Sequence, residues 1–339
     1  MNCNRVSWIM AAAITAASLA FAQGYKVTGS IPIGGSGGWD YLAADSPNHR
    51  LYVSHGSEVV VVDLDSGKVV GKIGGMKRIH GIAIDHARKL GFITDGGSNE
   101  VVIFELGTLA VKNKVQAGTN PDGVVFDQPS GRVFAFNGRS QNATAIDASS
   151  ETVAGTIALA GKPEFPVSDG RGHVYANIED KSEIVEIDSK TLKLEARWPL
   201  APCESPSGLA IDTKNRRLFS VCDNKMMAVV DADSGKIVAT PAIGNGPDAA
   251  GFDPGTGFAF SSNGDGTLTV VRESSPDKYA VAETVPTTKG ARTMTVDTKT
   301  HKIYLSCADL GPAPAASAAN PRPRPAILPD TFKVLILAR

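Results

Sequence analysis

The sequence predicts an all-β fold, a seven-bladed β-propeller with four-stranded blades. Three observations carry this. An aspartate closing a short apolar strand recurs at Asp45, Asp85, Asp127, Asp169, Asp212, Asp253 and Asp297, with spacings of 40, 42, 42, 43, 41 and 44 residues. An aromatic residue follows each aspartate after seven residues (six in one case), at Tyr52, Phe92, Phe134, Tyr175, Phe219, Phe260 and Tyr304. Long helical periodicity is absent, while glycine is abundant (35 residues) and turn signals are evenly spaced.

Residues 80–118 show the unit. HGIAID, KLGFITDG, NEVVIFE and AVKNKVQAG read as four strands, separated by turns at 85–89, 96–99 and 107–109. The third strands of successive units, among them VVVVD, VVIFE, IVEID and MAVVD, mostly end in turns such as Asp63-Leu64-Asp65-Ser66-Gly67. The acidic residues there read as turn caps, and the recurring aromatics read as packing between blades. Blade four departs from the pattern at Pro166, which cannot donate to a strand ladder.

The two chain ends are complementary. The seventh unit stops after its third strand, FKVLILAR, whereas YKVTGSIPIG near the start resembles the fourth strand of the first unit, KVVGKIG. The N-terminal strand should therefore complete blade seven, closing the ring and leaving no open seam. Residues 23–339 then form one domain. Residues 308–331 are a Pro/Ala-rich insertion in blade seven, with no strand or regular helix expected. A surface loop is the simplest reading of it. The sharper reading is a lid over one face, offering Arg322 and Arg324 to an anionic ligand.

Residues 1–22 read as a cleavable signal peptide, with Arg5 ahead of the apolar stretch 6–19 and Ala20-Phe21-Ala22 before a cut that leaves Gln23 first. A periplasmic or secreted protein is expected, monomeric, with no membrane span in the mature chain. The 34 basic and 35 acidic residues balance, which argues against nucleic acid as a partner. Of the cysteines after the cut, Cys203 in the loop entering blade five and Cys222 at the end of that blade's second strand are a candidate disulfide. Cys307, two blades after Cys222 in the same repeat position, should be free and buried. No Cys/His zinc spacing occurs.

The repeats GIAIDHARKLGFITDGGSNEVVIFELGTL, GLAIDTKNRRLFSVCDNKMMAVVDADSGKIVAT and LAADSPNHRLYVSHGSEVVVVDLDSGKVVGKI resemble the YVTN-repeat, YncE-like family of seven-bladed propellers. The resemblance spans the mature chain and implies the fold. Its members include surface-layer and periplasmic binding proteins, so it implies a binding or scaffold role only broadly.

A site should lie where the inner strands begin, at the mouth of the central channel. Five residues before each repeat aspartate stand Asp40, His80, Asp122, Glu164, Ser207, Asp248 and Arg292. Ten residues after it (nine in blade four), in the other loop on that face, stand His55, Asp95, Asn137, Ile178 (followed by Glu179), Cys222, Asn263 and Cys307. Clustered carboxylates attract a cation, and an oxygen-rich set such as Asp122 with Glu164 would suit calcium or magnesium. Arg292 could clamp a carboxylate or phosphate, and Trp39 and Phe165 could stack on a flat ligand. Turn chemistry alone accounts for much of the ring, notably Asp122, Ser207 and Asp248. Gly34-Gly35-Ser36-Gly37-Gly38 lacks the Lys-Ser/Thr of a phosphate loop. Two roles follow: a binding or scaffold protein that takes a small molecule or an envelope partner at the mouth, or a metal-dependent hydrolase, lactonase-like, using the same residues.

Overall fold

The structure is a computed structural model and describes residues 24–315 and 325–339. Residues 1–22, read above as a signal peptide, and Arg322 and Arg324 of the insertion lie outside the described residues. Seven antiparallel sheets of four strands form a ring, as the repeat spacing requires. The inner strands are Trp39–Asp45, Ile79–Asp85, Pro121–Asp127, Pro163–Ser168, Pro206–Asp212, Pro247–Asp253 and Thr293–Asp297, and each packs against its neighbours in the ring. The turns anticipated in blade two hold, with Lys89, Asn99 and Leu109 at φ of 57°, 60° and 61°.

The N-terminal strand Lys26–Pro32 pairs antiparallel with Lys333–Ala338, from Lys26 opposite Ala338 to Pro32 opposite Lys333, and so closes blade seven. Tyr25 packs edge-on against Phe258 and Phe260 of blade six. Ile31 enters the core between blades seven and one. The seven recurring aromatics are all buried between blades. Apolar residues fill each sheet interface because both faces of a blade are covered by its neighbours.

The seven repeat aspartates are buried too, at the end of the channel away from the predicted mouth. Each caps its own turn, as Asn48 N–H does with Asp45 (3.1 Å) and Lys214 N–H with Asp212 (2.9 Å). Several also bond the next blade. Ser168 donates to Asp127 at 2.6 Å, Arg216 to Asp169 at 2.6 Å and His301 to Asp253 at 2.8 Å, and Ser46 closes the circuit to Asp297. One residue type thus satisfies the turn and joins the blades.

Cys203 and Cys222 form a disulfide, while Cys307 is free and buried. The bridge ties the loop entering blade five to the sheet, and a closed loop of this size contributes about 3 kcal/mol by the chain-entropy account. The stem of the insertion is held by a bridge between Leu310 and Ile327 and by Gly311 N–H to Ala326 O at 2.8 Å. Among the described residues no helix is long and apolar enough to cross a membrane.

Candidate functional site at the channel mouth

A β-bulge builds the mouth. In blades one to six the pairing of the first two strands shifts near the start of the inner strand, as between Trp39 and Leu42, Ile79 and Ile82, and Pro121 and Val124. A bulge leaves its residues out of the ladder and re-aims their side chains. Asp40, His80, Asp122, Glu164, Ser207 and Asp248 all sit in these bulges. The ring of polar groups expected from the repeats therefore has a backbone cause.

Neighbouring members of the ring touch. His80 Nδ1 lies 2.5 Å from Asp40 Oδ2 and 3.7 Å from Asp122 Oδ1. Glu164 pairs with Lys162 Nζ at 2.7 Å, and the same ammonium meets Glu179. Ser207 donates to Pro247 O at 3.2 Å, and Arg292 pairs with Asp248 at 3.2 Å. Burial alone would lower the His80 pKa, but the Asp40 and Asp122 carboxylates more than offset it, so it is raised. Burial raises Asp122, against the pull of His80. Burial and the Asp122 charge push Glu164 up to about 8, despite the Lys162 ammonium.

A carboxyl raised above its unfolded value carries no penalty at pH below the unfolded pKa, and the penalty grows as pH rises towards the folded one. Glu164→Gln should therefore match the wild type in denaturant midpoint near pH 4 and exceed it at pH 8 and above. Urea titrations across that range measure the crossover.

Tyr41 and Phe165 follow Asp40 and Glu164 in the chain, and their rings stack at 4.3 Å with an interplanar angle of 29°. They come from blades one and four, as far apart as a seven-membered ring allows, so the stack spans the channel. The residues at the same repeat position in blades two, three, five and six are Gly81, Gly123, Gly208 and Ala249. Small residues there are required: a Cβ on Gly81 would stand 2.8 Å from Asp122 O, and one on Gly208 would stand 2.4 Å from Ala250 N. Tyr41 was not singled out from the sequence; two aromatics among these small residues were the available signal. Burial, then the charges of Asp122, Glu164, Asp40 and Asp248, hold the Tyr41 phenol well above its usual range.

Two clefts lie at the mouth. One, of about 800 Å³, is lined by the loop Gly34–Gly38, Trp39, Asp40, His55, Lys72, Lys77, Arg78, His80 and Arg292. The other, of about 590 Å³, is lined by Trp39, Glu179, Ser207, Asp248, Arg292 and the insertion residues Leu310, Pro325 and Ile327. Trp39 and Arg292 belong to both, so the clefts adjoin. The described stem of the insertion thus stands beside the mouth.

The structure places part of the expected ligand set inside the fold. Asp95 is fully buried and accepts the backbone N–H groups of Lys77, Arg78 and Gly97 at 3.0, 3.0 and 3.1 Å. Burial would raise it, but these donors outweigh the cost and hold it low. Asn137 donates to Asn142 and Thr144, and Asn263 to Thr267 and Thr269, all within their own hairpins. These three groups shape loops and are not presented to a ligand, because the second and third strands pair without a bulge up to Asp95, Asn137 and Asn263. His55 borders the larger cleft but is buried, with its ring stacked at 4.2 Å on Phe332. Phe165 gives one face to Tyr41 and packs into the core, so it is not a ligand platform. Trp39 stacks on Phe332 at 5.4 Å while still lining both clefts. For the expected oxygen-rich cation pair, Glu164 is engaged by Lys162, and Asp122 instead converges with Asp40 and His80.

Neither a family model nor a curated protein matches the sequence. The fold has solved relatives. The chain is similar to the structure of U3-55K (TM-score 0.75, 9% identity, 92% of this chain and 98% of that one). It is similar to the RRP9 WD40 repeats (TM-score 0.76, 8% identity, 93% and 97%). It also resembles a chain of Kuenenia stuttgartiensis hydrazine synthase (TM-score 0.68, 13% identity, 81% and 94%). At these identities the likeness carries the fold alone. The protein is a seven-bladed β-propeller.

Proposed function

We propose that this is an exported, YVTN-type propeller that binds a small anionic molecule in the basin at its channel mouth. The observation that carries the reading is the pair of adjoining clefts at the mouth, where the Tyr41–Phe165 stack spans the channel. The charge of the ligand follows from the wall. Arg292, Lys72, Lys77 and Arg78 line the larger cleft against Asp40 and Glu58. Lys72 is taken up by Glu58 at 2.6 Å, but Lys77 and Arg78 have no ion-pair partner among the described residues. Their backbone N–H groups are fixed by Asp95, which points the pair at the basin edge. Trp39 offers a flat apolar surface between the clefts. Export rests on the signal-like residues 1–22, and the family on the repeat motifs.

A thermal-shift panel of carboxylates, sugar phosphates and sugar acids tests this. At least one should stabilise the protein, and Arg78→Gln or Arg292→Gln should weaken its binding about 10- to 100-fold, the usual worth of a charge-assisted hydrogen bond. No stabilisation by any anionic compound, or binding indifferent to both substitutions, would overturn the reading.

A further inference from the structure

Asp40, His80 and Asp122 occupy the same bulge position in three consecutive blades. One ligating atom from each lies within 4.8 Å of the other two. We propose that this trio holds a divalent first-row transition-metal ion in the wall of the larger cleft. The inference is independent of the anionic ligand.

The donor set is one imidazole nitrogen and two carboxylate oxygens. Such a mixed set favours ions like Zn²⁺ or Mn²⁺ over the calcium or magnesium that an all-oxygen site would select. Ligand atoms around an ion of this size stand roughly 3–4 Å apart. The 3.7 Å between His80 Nδ1 and Asp122 Oδ1 already fits. The 2.5 Å to Asp40 Oδ2 is a hydrogen bond whose proton the ion would replace. The His80 side chain is 5% exposed, so its ring is held by packing. Thr94 fixes the two bulges against each other, accepting from Gly81 N–H at 2.8 Å and donating to Asp122 O at 2.5 Å.

A second observation points to a missing ligand at the same place. The Tyr41 hydroxyl is buried and has no hydrogen-bond partner. It lies 3.3 Å from where a Cβ on Gly123 would be, next to Asp122. A phenol in the interior ordinarily finds an acceptor, and a ligand atom held beside Asp122 would supply one. The Asp122 carboxylate likewise takes part in no hydrogen bond among the described residues, and its ion-pair contact is with the His80 nitrogen at 3.7 Å. Turn capping, which explains the repeat aspartates, explains neither group. Asp40 and His80 line the cleft, so the remaining coordination positions face it.

The test is metal uptake by the full chain after stripping with a chelator, followed by calorimetric titration with Zn²⁺ and Mn²⁺, and by visible absorption with Co²⁺. One equivalent of at least one of these ions should bind. Asp122→Asn and His80→Gln should each weaken it by about 100-fold or more, beyond the loss usual for outer partners. Glu164→Gln should leave uptake intact, because Glu164 is committed to Lys162. So should His173→Gln, at the more exposed cluster with Glu186 and Glu195. Melting curves in chelator identify any variant that fails to fold; Asp122→Asn removes no hydrogen bond and is the decisive one. No stoichiometric binding of any of the three ions, uptake that survives Asp122→Asn, or uptake abolished by Glu164→Gln would overturn the assignment.

Discussion

A chain that begins at Ile33 will fail to form a stable ring. Such a variant loses the strand Lys26–Pro32 and with it the pairing along Lys333–Ala338. It also uncovers the sites filled by Tyr25 and Ile31, each buried and worth roughly 2–3 kcal/mol. The Lys333–Ala338 strand, apolar at Val334, Leu335 and Leu337, becomes an open edge, the kind of surface that pairs with other chains. The combined loss approaches the whole stability of a typical domain, about 5–15 kcal/mol. We expect aggregation, or a non-cooperative melt by circular dichroism, and partial rescue by a peptide spanning residues 24–34, which can add to the free edge as a strand. A cooperative melt within a few degrees of the wild type would show that the closure is dispensable.

The second large effect is at the buried girdle. Asp169→Ala should cost about 3–5 kcal/mol, because it leaves Arg216, whose side chain is only 13% exposed, with only the exposed Asp233 as a carboxylate partner, and removes the turn contacts from Arg171 and His173. Asp233→Ala removes the other carboxylate partner of the same arginine, but that carboxylate is 65% exposed and its loss should cost under about 1 kcal/mol. The comparison separates a charge that joins blades from one that decorates them. Burial would raise Asp169, yet the backbone N–H groups of His173 and Arg171 and the Arg216 guanidinium hold it below the ordinary carboxylate range. A carboxyl depressed on folding contributes stability above its unfolded pKa and loses it as pH falls through the folded value. The difference between wild type and Asp169→Ala should therefore be full at pH 6 and shrink below about pH 4. Urea denaturation at both pH values measures it, and a difference independent of pH would contradict the electrostatic account.

The blades, the buried aromatics and the closing strand were legible from the sequence because each depends on a local pattern repeated seven times. Tyr52, Phe92 and their equivalents recur at one place in a strand, and the same packing environment receives all of them. The position of Asp40, His80 and Asp122 was legible for the same reason. Which polar ring is presented at the mouth was not. Repeat arithmetic puts Asp95, Asn137 and Asn263 on the same face, and only the bulges distinguish an aimed side chain from one folded into its own hairpin.

The sequence by itself determined the number of blades, the composition of their interfaces and how the ring closes, since strand pattern and turn chemistry act over a few residues. Tertiary structure decided the site. The Tyr41–Phe165 stack joins blades one and four, Lys162 engages Glu164, and Asp122 converges with groups from two other blades. These are distances between residues far apart in the chain, set by how the blades pack around the axis, and no spacing along a strand records them.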